Sequence, residues 1–214
     1  MQIFSILLII DHFSIAASEY VLYFYVELLY FEVVMKGLVF TSLQGYIEKK
    51  YSYDLVDEAI IELNLSSSGI YSSLGYYEFD ELVELVQFYA SKVDRNVSDV
   101  LTDFGSWLFA ELYKTHESMV IKYDDPINFL ANIEKHIHYE VKKMYPSVSL
   151  PKIKFSFDDH TKTAVLEYSS HRPLASLCIG LVTGCLQHFG ALSDADLKNS
   201  ISDDGHAMQL TIKL

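Results

Sequence analysis

Tyr168, Ser170 and Arg172 lie two apart at the end of an alternating run, residues 163–172. In a strand, alternate side chains share a face. Ala164, Leu166, Tyr168, Ser170 and Arg172 then point one way. That face begins apolar and ends in a hydroxyl, a hydroxyl and a guanidinium. A buried arginine requires an anionic partner. The row of donors therefore suits a carboxylate or a phosphate, whether from the chain's own acids or from a ligand. A second feature is His136-x-His138, with Pro151 downstream. Imidazole is the commonest metal ligand among side chains. On one helix, however, two histidines two apart face different directions, so the pair is poor for a single ion.

Composition narrows the classes. The chain has 214 residues, half hydrophobic and 14% aromatic, enough for one domain with a sizeable core. Sixteen basic and 29 acidic residues give a net charge of -13. That charge argues against nucleic acid and anionic membranes as partners. Cys178 and Cys185 lie seven apart on an apolar, helix-like stretch. Two helical turns separate them by roughly 10 Å, too far for a disulfide. They are expected to be core thiols in a reducing, cytoplasmic setting, and two such cysteines make a structural zinc site improbable. Asn64-Leu65-Ser66 and Asn96-Val97-Ser98 match the glycosylation pattern, which has no meaning in that setting.

Residues 1–34 differ from the rest. They contain no Lys or Arg and are crowded with Ile, Leu, Tyr and Phe. A signal peptide would begin with positive charge. Asp11, His12, Glu19, Glu27 and Glu32 interrupt every 18-residue apolar span, which argues against a membrane-crossing helix. The segment is expected to be a translated upstream region ahead of a true start at Met35. A docking helix and a weak membrane-surface anchor are the alternatives.

From Met35 onward the pattern predicts an α+β fold. Helices are expected over residues 53–65 and 79–93, with a serine-rich loop between them at 66–75. Ser98 is placed to cap a third helix through Leu101, Trp107 and Leu112. Asp125-Pro126 opens a fourth, running to Met144 before Tyr145-Pro146. Leu130, Ile133, Ile137, Val141 and Met144 form its apolar stripe. His136 and His138 flank Ile137 by about 100° on either side, so geometry alone does not choose between them. From Pro151 the period becomes two. A hairpin turns at residues 158–161, a helix covers 173–189 up to Gly190, and residues 208–214 form a last strand.

The pieces together resemble the heme nitric oxide/oxygen binding (H-NOX) domain. This is the sensor module of bacterial signalling proteins and of soluble guanylate cyclase. The resemblance spans residues 35–214, beginning at Met35-Lys36-Gly37. It implies a helical half and an antiparallel sheet with helices, holding heme b between them. Tyr168, Ser170 and Arg172 match the family's propionate-binding Tyr-x-Ser-x-Arg. The family's iron-ligating histidine falls on His138, counting back from Tyr145-Pro146; His136 is the alternative. Pro151 matches a proline packed against the heme. Leu43, Leu112 and Leu177 match distal positions, and Leu177 stands where oxygen-binding members carry a tyrosine. Without that donor, the resemblance implies a nitric oxide sensor that discriminates against oxygen. Nitric oxide would weaken the iron–His138 bond and free its helix. The chain ends at Leu214, so signalling is expected to pass in trans, to a histidine kinase or a diguanylate cyclase. The chain has no Gly-x-Ser-x-Gly, His-Glu-x-x-His or phosphate loop, and Asp158-Asp159-His160 belongs to a solvated turn. Enzymatic activity is not expected. A heme-free binding module and an oxygen-binding heme protein are the competing readings.

Overall fold

The computed structural model describes residues 34–146 and 148–214; the expectations for residues 1–33 lie outside them. A short strand β1 (Val34–Lys36) pairs antiparallel with β2 (Tyr76–Glu78). Between them run α1 (Gly37–Lys50) and α2 (Tyr53–Glu62). Helix α1 lies outside the helices expected above; Phe40, Leu43, Tyr46 and Ile47 form its buried stripe. Gly37 is required where it stands, because a Cβ would lie 2.0 Å from the Ser72 carbonyl oxygen. In α2, the Ser52 side chain accepts from the Leu55 amide and supplies the cap.

The serine-rich loop after α2 is pinned to α3 (Phe79–Lys92) by Glu81. That buried carboxylate accepts from Ser66 and Ser67 hydroxyls, the Ser67 amide and the Tyr71 hydroxyl. Burial raises the pKa of Glu81, but these donors outweigh it and hold the group below the usual carboxylate value. The loop thereby fixes the start of α3, where Phe79 sits.

Helix α4 (Val97–Thr115) begins two residues earlier than expected. Asn96 occupies the cap position and Ser98 lies inside the first turn, its carbonyl accepting from Thr102 Oγ1. A short α5 (Glu117–Val120) follows. Asp125 and Pro126 do open a helix, with Asp125 accepting from the Asn128 amide at 2.8 Å. The expected single helix to Met144 is instead three pieces. These are α6 (Pro126–Ala131), a π-helical segment (Ile133–His138) and α7 (Tyr139–Met144). A π turn widens the winding and shifts the angular phase of the residues it carries. Both candidate histidines lie within it.

The second half is a four-stranded antiparallel sheet in the order β3-β4-β6-β5. Its strands are β3 (Lys152–Asp158), β4 (Thr163–Ser169), β5 (Asp196–Ile201) and β6 (Ala207–Lys213). Ala164, Leu166 and Tyr168 form the buried face of β4, as the alternation predicts. Helix α8 (Ala175–His188) joins the two halves and stops at Gly190, which has φ +71°. Leu177 belongs to the helical core and Cys178 to the sheet core, so α8 forms the seam. Both cysteines are buried thiols, and burial pushes Cys178 up to about 12.

Helices α4 and α8 meet at glycines. A Cβ on Gly180 would lie 2.0 Å from the Thr102 carbonyl oxygen and 2.8 Å from the Gly105 Cα. Backbone cannot yield as a side chain can. Gly180→Ala is expected to cost about 1–3 kcal/mol or more. Urea unfolding should show a lower midpoint at unchanged slope.

Candidate heme site

Strand β4 ends at Ser169, earlier than the run to Arg172 implies. Ser170 and Arg172 therefore reach the site through a turn, not by strand alternation. The Ser170 side chain accepts from the Arg172 amide at 3.1 Å, and the Ser170 amide donates to the His206 carbonyl. The turn swings Arg172 inward, to 7% exposure. Its guanidinium donates to the Val34 carbonyl and lies over the Phe79 ring at 5.5 Å. Arg172 Nε is buried without a hydrogen-bond partner, and no carboxylate pairs with the group among the described residues. Burial accordingly pulls its pKa down from the usual arginine value. The Tyr168 hydroxyl, also buried, makes a long 3.4 Å bond to the Arg172 carbonyl. An uncompensated buried charge costs several kcal/mol. Among the described residues, the internal-acid explanation of Arg172 thus finds no acid.

The π segment separates the two histidines. His136 is exposed, and its Nδ1 lies 2.8 Å from the Tyr123 hydroxyl. His138 turns toward the protein, its side chain 15% exposed. Burial lowers its pKa, with Glu134 partly opposing. The shift favours the neutral ring, the form in which imidazole ligates a metal. Its Nδ1 lies 3.3 Å from Glu134 Oε1 but off the hydrogen-bond direction, so the nitrogen is buried with no bond formed. Glu134, absent from the sequence-based candidates, also accepts from the Ile153 amide. Ile153 stands opposite Tyr168 in the β3–β4 register. One short path thus links the His138 segment to the strand carrying Tyr168. Pro151 is half-buried just ahead of β3.

Leu43 and Leu177 are buried in the helical core, and Leu112 packs against it. Three donors in the same region lack partners among the described residues: the Tyr46 and Tyr89 hydroxyls and Trp107 Nε1. Tyr46 and Trp107 are neighbours, with ring centroids 6.2 Å apart. A surface groove of about 590 Å³, lined by Asp125, Ile127, Phe155 and Phe157 among others, includes none of the candidate residues.

A sequence profile described as Haem-NO-binding matches residues 36–195. The chain belongs to this family. Its members are heme-binding gas sensors, and solved H-NOX structures share the fold. The unliganded Fe(II) H-NOX protein from K. algicida is 30% identical with a TM-score of 0.74, covering 84% of this chain and 96% of that one. The H-NOX protein from S. oneidensis in the Fe(II)NO state is 29% identical with a TM-score of 0.74, covering 84% and 99%. The IWP-051-bound H-NOX from Shewanella woodyi is 32% identical with a TM-score of 0.68, covering 84% and 94%. No curated protein matches the chain. Among the described residues, no helix is long and apolar enough to cross a membrane. The H-NOX resemblance and its α+β architecture therefore stand.

Proposed function

We propose that the chain is a nitric oxide sensor that holds heme b and signals to a separate protein. The observation that carries this reading is Arg172, a buried guanidinium with an idle Nε and, among the described residues, no acid against it. Two propionate carboxylates have the charge and fork-matching shape that the described residues do not offer Arg172. Tyr168 and Ser170 would bond the same carboxylates. His138 would ligate the iron, and Pro151 would pack on the macrocycle. Neither cysteine lies in a Cys-x-x-Cys-His attachment pattern, which supports a non-covalent heme.

When bound, ferrous heme supplies an iron position open to a diatomic gas. Leu43, Leu112 and Leu177 would form its distal wall. They bring no hydrogen-bond donor, and stable oxygen binding depends on one far more than nitric oxide binding does. On the other face, release of the His138 imidazole would leave its π segment held by packing of Ile133 and Ile137 and by Glu134. Signalling requires that the ligand favour one of two such states. The output would pass in the cytoplasm to a histidine kinase or a diguanylate cyclase. Nothing in the chain's motifs favours an enzyme.

The test is the anaerobically reduced, heme-loaded protein, given nitric oxide in one sample and air in another, followed by visible absorption. One nitric oxide per chain should bind, and air should give no stable oxygen binding. Stable oxygen binding would contradict the distal assignment and implicate the idle donors of Tyr46 or Trp107.

A further inference from the structure

Resting on the reading of His138 as the iron ligand, the geometry points to Glu134 as its positioning residue. With heme bound, the carboxylate accepts a hydrogen bond from His138 Nδ1–H, so Nε2 is the nitrogen presented to the iron. Three observations combine. Glu134 Oε1 lies 3.3 Å from His138 Nδ1, and that nitrogen is buried with no other partner among the described residues. The same oxygen accepts from the Ile153 amide, nineteen residues away, which fixes it against β3. The π winding brings the two side chains together at a spacing of four residues. A carboxylate on the second nitrogen of a ligating histidine selects the tautomer, orients the ring and raises its basicity. Small rotations close a 3.3 Å approach, as bonds that are long in the unloaded site tighten on loading. The anchor matters as much as the charge. Glu134 ties the ligand to the strand paired with Tyr168, so one carboxylate connects the axial side of the site to the propionate side.

The experiment uses the full chain in its ferrous, heme-loaded form. The iron–histidine stretching band is recorded by resonance Raman, with the heme midpoint potential, for the native protein, Glu134→Gln and Glu134→Ala. Gln keeps an accepting oxygen for the Ile153 amide and for Nδ1 but removes the charge. Its band should fall to lower frequency and its potential should rise, because a less basic imidazole favours the ferrous state. Ala removes the anchor too, so its band should fall further. Its iron–imidazole affinity should drop about 10–100-fold. If Ala fails to fold, the Gln band and potential still decide. A native histidine band that neither variant moves would overturn the role of Glu134 alone. Absence of that band from the native protein would overturn the His138 reading and this inference with it.

Discussion

Arg172→Leu should yield a folded protein, no less stable without heme than the native chain, that has lost most of its hold on heme. The two halves of that result have opposite causes. Among the described residues, the Arg172 guanidinium is buried with an idle Nε and no carboxylate. Replacing a poorly compensated buried charge with an apolar side chain of similar volume is neutral or stabilising by about 1–4 kcal/mol. The lost bond to the Val34 carbonyl offsets part of any gain. With heme, the same change removes a bidentate, charge-assisted grip. Each such bond contributes about 1.5–3 kcal/mol, so two imply roughly a 10²–10⁴-fold loss of affinity. Thermal unfolding of the heme-free proteins and heme titration would measure the two parts. An arginine serving only the fold would behave otherwise: its removal would destabilise the chain and leave heme uptake alone.

His138→Gly should abolish the histidine-ligated ferrous spectrum, and added free imidazole should restore it by entering the space left behind. His136→Ala should leave the spectrum unchanged. The exposed His136 ring stands outside the proposed site, and its loss removes one neutral hydrogen bond with Tyr123, worth about 1 kcal/mol of stability. The contrast follows from their surroundings: the His138 side chain is 15% exposed, whereas His136 lies on the exposed flank. The reverse pattern, with His136 required and His138 dispensable, would move the axial ligand to the wrong flank of Ile137 and undo the Glu134 path as well.

Much of this arrangement is legible in the sequence because it rests on local periodicity. Ala164, Leu166 and Tyr168 alternate, and that face is buried. Asp125-Pro126 is a start signal whose bond forms as expected. The failures have physical reasons. Three-residue strands such as β1 and β2 are too short to show a pattern. Strand β5 is an exposed edge with no alternating burial to betray it. Helix α1 did carry a signal, Phe40, Leu43 and Ile47 at helical spacing, partly masked by Gly37, Thr41, Ser42 and Gly45. The π segment has no sequence signature, since i→i+5 winding is set by what surrounds it. Periodicity leaves His136 and His138 symmetric about Ile137, and only the packing around them tells them apart. Glu134 is invisible for a similar reason: its significance comes from the Ile153 amide, supplied by a strand distant in sequence. The family match rests on spaced side chains, whereas the details that distinguish this site depend on tertiary contacts.

The most direct test of the central claim is a heme titration of the full heme-free chain under reducing, oxygen-free conditions, followed by visible absorption. Uptake should saturate at one heme per chain and give the spectrum of a ferrous iron with a single histidine ligand. A chain that takes up no heme, or takes it up without histidine ligation, would contradict the assignment of Arg172 and His138 to a heme site.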